Sequence, residues 1–296
     1  MAMPTDVGVI DLMMGLPEGS KKSWYGFLRK SFMDKESLEM EFPAQYMFKE
    51  VPKDIPDDAD PIAVVLQEMD HFGIAKAMLG VGSAARDSSE RSNTRRALEE
   101  HPDRFFCSYE VDPNRGMEGV RDLVRAHEEL GVKAATAFPA GMNPQVPIND
   151  KRFYPIYAKC IELDIPICIT TGVPGPRVPM LCQKTELLDE VCWFFPELKV
   201  VMRHGAEPWD ALAVKLMLKW PNLYYSTSAF APRYYPKTII DYANTRGADK
   251  IMYAGYFPMG LSLERIFAEL PDVQLKDDVW PKFLRDNAAR VFQLGA

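Results

Sequence analysis

The sequence predicts a single (β/α)8 barrel, and three observations carry that prediction. Short β-branched runs alternate with longer stretches whose apolar residues recur at helical spacing, over a chain of 296 residues. Alternation of this kind argues for parallel strands joined by crossover helices, and eight such units fit a barrel better than an open, doubly wound sheet. A dinucleotide-binding sheet would carry G-x-G-x-x-G after its first strand. Here that strand runs into Met13-Met14-Gly15, which does not cradle a phosphate.

The elements follow in order. Val7–Leu12 reads as a buried strand, Ile62–Phe72 as a helix and Ile74–Leu79 as the second strand. Ser89–Glu100 is a helix, Phe105–Val111 a strand, Met117–Leu130 a helix and Val132–Phe138 a strand. Phe153–Leu163 is a helix that tolerates Pro155 in its first turn, and Pro166–Thr170 is the fifth strand. Thr185–Phe195 and Trp209–Trp220 are helices on either side of the strand Leu198–Met202. Leu223–Thr227, the helix Pro236–Asn244 and Lys250–Ala254 complete the eight strands. Leu261–Leu270 and Trp280–Phe292 close the chain as helices.

Leu16–Asp60 breaks the pattern, being too long for an ordinary βα loop. It carries Trp24, Tyr25, Phe27, Phe32, Phe42, Tyr46 and Phe48. Because it follows the first strand, it emerges at the C-terminal mouth, where barrel enzymes keep their active sites. A lid over the mouth and a subunit contact are both open to it. The whole chain thus reads as one domain, residues 1–296, with residues 16–60 inserted.

Composition narrows the function. At 47% hydrophobic and 26% charged the chain has a core and an ordinary surface. Its formal charge of -7 and short basic clusters (Lys21-Lys22, Arg95-Arg96) argue against nucleic acid and anionic membranes as partners. No leader segment or transmembrane run is visible. The five cysteines show no C-x-x-C spacing and are odd in number, which suits a reduced, cytoplasmic protein.

The strand ends carry a resemblance. Ile10-Asp11, His101-Pro102-Asp103-Arg104-Phe105, Asp112-Pro113, Phe153-Tyr154-Pro155, Leu163-Asp164-Ile165-Pro166-Ile167, His204-Gly205-Ala206-Glu207-Pro208-Trp209, Gly255-Tyr256-Phe257-Pro258 and Asn287-Ala288-Ala289-Arg290-Val291-Phe292 occur in this order. Together they resemble the amidohydrolases of the aminocarboxymuconate-semialdehyde decarboxylase-like group. The resemblance implies a barrel, a small organic-acid substrate, a metal centre and a dimer. The departures fall on the metal. The family's Asp-x-His-x-His becomes Asp11-Leu12-Met13-Met14-Gly15, its histidine of the fifth strand becomes Thr170, and its aspartate of the eighth becomes Tyr256. Met, Gly and Thr do not replace His and carboxylate around zinc or manganese, so no metal or other cofactor is expected. A metal held by other ligands, such as Asp11, is the alternative.

What remains defines the candidate site. His204 is the family residue with acid–base chemistry still in place, and it is expected to act as general acid or base; its bland role is to cap the turn before Trp209. Tyr256 could donate to a developing oxyanion or simply fill vacated space with Met13 and Thr170. Asp11 is either a catalytic carboxylate or a buried strand-end aspartate. Arg203 and Arg177, the latter in a Pro/Gly-rich loop, could each hold a carboxylate or lie on the surface. Ser226 and Ser228 could reach the site, though no nucleophile elbow supports a Ser–His pair. Cys168 reads as core. Three functions compete: a metal-independent hydrolase or lyase acting on a small organic acid, ester or thioester; a metal-dependent decarboxylase or hydrolase with unconventional ligands; and a ligand-binding protein without catalysis. A homodimer is expected in each case.

Overall fold

A computed structural model describes residues 3–17, 24–48, 51–52, 55–56, 58–82 and 92–295. Eight parallel strands lie in sequence order: β1 (Val9–Met14), β2 (Ile74–Val81), β3 (Phe105–Glu110), β4 (Ala134–Ala137), β5 (Ile167–Thr170), β6 (Val200–Arg203), β7 (Leu223–Ser226) and β8 (Ile251–Met252). The sheet closes where Met14 bridges Phe257 and the Gly15 N–H donates to the Phe257 carbonyl at 2.9 Å. This is the expected (β/α)8 barrel.

Each strand is followed by helix on the outer layer. After a short α1 (Lys35–Glu39) within the insertion come α2 (Pro61–His71), α3 (Asn93–Glu100), α4 (Met117–Leu130), α5 (Tyr154–Glu162), α6 (Leu188–Phe194), α7 (Asp210–Lys219), α8 (Lys237–Ala243), α9 (Leu263–Glu269) and α10 (Asn287–Val291). Local signals set several ends. Asp60 caps α2 by accepting from the Ile62 N–H, with Pro61 in the first turn, and Ser92 and Ser262 cap α3 and α9 in the same way. Gly131, left-handed at φ 62°, ends α4.

Most strand boundaries shift by one or two residues from expectation, and two of the shifts have a visible cause or consequence. β1 runs on through Met13 and Met14, with an irregular register between Asp11 and Met14. β8 is only two residues long because the next N–H groups are diverted: Tyr253 donates to the Phe283 carbonyl and Ala254 to the Thr227 hydroxyl. The first residues of the expected helix 89–100 and the Lys21-Lys22 cluster lie outside the described residues, as do parts of the insertion.

Two apolar layers hold the barrel. The larger lies between sheet and helices. The smaller fills the interior with Ile10, Leu12, Met78, Phe106, Ala134, Cys168, Val201, Tyr224, Met252 and Ala254, and is plugged from below by Ala288, Val291, Phe292 and Leu294 of the C-terminal segment. Interior residues identify the inward face of each strand. Because side chains alternate, the residues two positions further on point into the mouth above this layer.

Candidate active site

Alternation from the interior layer places a set of polar side chains at the mouth. From Phe106 it brings Ser108 and Glu110 inward, from Ala134 Thr136, from Cys168 Thr170, and from Val201 Arg203. These residues line a cavity of about 740 Å3, within the range for a small-molecule site. They form a polar arc on four consecutive strands, with Glu110 opposite Thr136 and Thr170 opposite Arg203 in the strand registers.

The opposite wall is apolar. Insertion residues Trp24, Tyr25, Phe27, Phe42 and Phe48 face Met13, Phe230 and Tyr256 around the same cavity. Phe42 lies 5.3 Å from Tyr25 and 5.5 Å from Phe48, and Phe48 stacks on Tyr256 at 6.0 Å between ring centroids. The insertion is tied down from across the mouth. Arg177 pairs with Asp34 at 3.1 Å and Glu36 at 2.7 Å and lies over the Tyr46 ring, whose hydroxyl donates to the Gly175 carbonyl.

The strand end at β6 aims two residues differently. Arg203 is still in the strand and points inward. His204 has a left-handed backbone, φ 60°, followed by Gly205 at φ 81°. This turn carries the imidazole out of the alternation and onto the cavity wall, where its ring meets Tyr256 edge-on at 5.4 Å. The His204 N–H donates to the Ser228 Oγ at 3.0 Å. Gly205 is required because a Cβ there would lie 2.8 Å from the Phe230 ring.

The expected site residues therefore divide. His204, Tyr256, Arg203, Thr170 and Met13 line the cavity together with Gly15. Asp11, Arg177 and Ser226 do not. Asp11 lies fully buried behind the wall, accepting the N–H groups of Met13 at 2.9 Å and Gly255 at 2.8 Å, so it bridges β1 to the chain beyond β8 and does not face a substrate. Arg177 has its guanidinium on the insertion's carboxylates, an arrangement set by the loop it leaves from. Ser226 is buried and donates to the Met202 carbonyl at 3.1 Å. The Ser–His pairing is made by Ser228 with a backbone N–H, which leaves no nucleophile activated. Burial pushes the Cys168 thiol up to about 12, as suits a core cysteine.

Sequence reasoning missed Glu110, Ser108, Thr136, Glu207 and Arg265, which also line the cavity. The signal for the first three was available, since the third and fourth strands had been located and their alternation follows from one interior residue each.

Electrostatics sharpen the picture. Burial, with the adjacent Arg203 guanidinium, drives the His204 imidazole down to about 3, against a weaker upward pull from its bond to Ser228. It is neutral at pH 7, and its Nδ1 is buried with no hydrogen-bond partner among the described residues. Burial raises Tyr256, outweighing its hydrogen bond with Tyr25 and the nearby Arg203, so the phenol keeps its proton and can donate. The Arg203 Nη2 rests against the Met13 sulfur, while its buried Nε has no partner among the described residues.

These residues do not fit the divalent metal that the resemblance implies. A thioether, a glycine, a threonine and a phenol stand at the ligand places, and a guanidinium leans on the first of them. A fixed cation there repels a second one. Among the described residues no group of three or more His, Cys, Asp or Glu is arranged to hold a metal ion.

A parallel eight-stranded barrel with a polar cavity at its C-terminal mouth is the architecture of a barrel enzyme's active site. The family described as Amidohydrolase matches residues 40–294, and the chain belongs to that family. No curated protein matches the sequence. Among solved structures, an uncharacterised TIM-barrel protein from Bordetella bronchiseptica is 22% identical, with a TM-score of 0.73 over 96% of this chain and 98% of its own. The 5-carboxyvanillate decarboxylase of Sphingomonas paucimobilis is 14% identical, with a TM-score of 0.67 over 98% and 100%. The 2,6-dihydroxybenzoate decarboxylase from Rhizobium is 18% identical, with a TM-score of 0.61 over 97% and 99%. At these identities the likeness shows the shared fold.

Proposed function

We propose that this protein is a metal-independent lyase or hydrolase of the amidohydrolase family that acts on a small organic acid of aromatic character. The observation that carries the reading is Arg203: an inward-pointing guanidinium lining a cavity whose other wall is a cluster of aromatic rings. A carboxylate meeting the guanidinium would complete its hydrogen bonds in a charge-assisted pair, and the rings would receive a flat apolar body. Two of the structural neighbours, the decarboxylases of 5-carboxyvanillate and 2,6-dihydroxybenzoate, take substrates of that chemical kind.

The chain's own groups then share the chemistry. Arg203 anchors the carboxylate and the Tyr256 hydroxyl donates to oxygen on the substrate. His204 is the base, and its strength depends on occupancy. In the free protein burial, and to a lesser degree the Arg203 charge, hold the imidazole low; an anion bound to the guanidinium offsets the Arg203 part and raises the proton affinity of the ring by that much. The insertion, held by Arg177, serves as the lid that keeps water from the bound acid.

The test is a panel of benzoates, hydroxybenzoates and their esters, assayed for carbon dioxide release and ester cleavage with and without a chelator, alongside elemental analysis. Turnover that survives the chelator in protein without stoichiometric metal is the expected result. One zinc or manganese per chain, with activity lost on its removal, would overturn the reading. A binding protein without catalysis is the competing reading, favoured by the low basicity of His204 in the free state; saturable binding of these acids without conversion of any would establish it.

A further inference from the structure

The polar arc contains a second ionisable group, which the mechanism above does not use. Glu110 ends β3 and points inward by alternation from Phe106 through Ser108. It lines the cavity and is exposed there. Its strand partner is Thr136, whose side chain also faces the cavity. Its carboxylate is accessible from the cavity, so a molecule bound there can reach it. Glu110 forms no hydrogen bond or ion pair among the described residues, and what acts on it is the more distant field of Arg203 and of Asp112.

Resting on the reading of the cavity as an organic-acid site, we propose that Glu110 is a catalytic residue: it is the acid that gives a proton to the bound substrate, while His204, three strands further around the barrel, accepts one. The proton leaves the Glu110 carboxyl for the substrate atom that holds the electron pair. The carboxylate left behind, exposed at the cavity, is reprotonated from solvent, and His204 releases to solvent the proton it accepted.

The environments of the two groups agree with these roles. Burial raises the Glu110 carboxyl above the ordinary range, partly offset by Arg203 and reinforced by Asp112, so it holds its proton to higher pH. His204 is pushed the opposite way. Two titrating groups whose surroundings drive them apart make an acid and a base. Among the described residues the other ionisable groups around this cavity are Arg203, Tyr25, Tyr234, Tyr256, Glu207 and Arg265, and burial also raises Glu207. Glu207 is therefore the alternative source of any carboxyl titration in the site.

Binding of benzoate to the full chain, followed by calorimetry from pH 4.5, the ordinary glutamate value, up to 8 in two buffers of different ionisation enthalpy, tests the assignment without needing turnover. An anion on Arg203 favours the protonated carboxyl. Wild-type affinity should therefore fall about three- to tenfold as pH rises, with proton uptake on binding. E110Q should bind with a flat pH profile and no uptake at an unchanged thermal midpoint, while E207Q keeps the wild-type dependence. On any acid that is turned over, E110Q should also remove the loss of rate at high pH that ionisation of the acid causes. An E110Q profile that still follows wild type, or a dependence that disappears in E207Q instead, would overturn the assignment while leaving the organic-acid reading in place. No benzoate binding by wild type would overturn that reading and this one with it.

Discussion

The Asp11 carboxylate and the Gly255 backbone N–H, 244 residues apart in sequence, are joined by a hydrogen bond of 2.8 Å across the seam where the barrel closes. The same oxygen accepts from the Met13 N–H, so one carboxylate satisfies two buried donors where no ladder joins β8 to β1. Asp11→Ala should leave both donors unpaired and cost about 3 kcal/mol, measured by urea unfolding. Burial raises the Asp11 carboxyl to about 6 from 3.8, against the pull of the Gly255 and Met13 N–H groups and of Tyr253. The stability it contributes is therefore full below pH 3.8 and is lost as pH rises through about 6, by an amount on the order of 3 kcal/mol. Asp11→Asn, which keeps one acceptor oxygen, should gain on wild type between pH 4 and 7. A constant difference between the two proteins across that range would refute the assignment.

Gly255 has its own constraint. A Cβ at this position would lie 2.6 Å from the Asp11 Oδ2 and 3.1 Å from the Tyr253 hydroxyl. Both atoms belong to buried side chains that cannot swing into solvent. Gly255→Ala should lower stability by about 2 kcal/mol or more, and less in an Asp11→Ala background, where the obstructing oxygen is gone. Additive losses in the double variant would show that the two residues do not meet.

The barrel was legible because its signal is repeated: the parallel strands and their helices each follow from local apolar period. The cavity was half legible. His204, Tyr256, Thr170, Met13 and Arg203 were found from strand ends, and strand ends are where a barrel's mouth must be. Asp11 stayed open between catalysis and a buried strand end because the sequence does not reveal which face a strand turns after an irregular register, and Arg177 between ligand and surface because its partners, Asp34 and Glu36, lie 143 and 141 residues away. Glu110 was passed over because no family motif marks it, although two-residue alternation from Phe106 leads to it.

Arg177 should therefore behave as a clasp on the insertion. Arg177→Ala should leave the affinity for benzoate within a factor of about two at saturation of the lid-closed form, and should raise amide exchange across residues 34–48. Its pairs are exposed and so contribute little to global stability; high salt should reproduce the effect on exchange in wild type. Loss of benzoate binding with unchanged exchange would place the guanidinium on the ligand instead.

His204 offers the most direct test of the mechanism. Its left-handed backbone, φ 60°, decides which substitution is informative. Asparagine tolerates that region far better than alanine or a β-branched residue, so His204→Asn should keep both the turn and the N–H bond to Ser228. Turnover should fall about 10²–10⁴-fold, the usual contribution of an acid–base group. Tyr256→Phe, which keeps the ring packed on Phe42 and Phe48, should cost less. Stability supplies an independent reading. The folded imidazole titrates near 3, below the ordinary 6.5, so keeping it unprotonated adds little cost at pH 7 and progressively more as pH falls from 6.5 towards 3. Wild type should lose stability relative to His204→Asn over that interval, while the two differ by a constant amount above pH 7. Full turnover in His204→Asn would end the case for the imidazole as base, and an unchanged pH dependence of stability would show that the ring is not held neutral at the cavity wall.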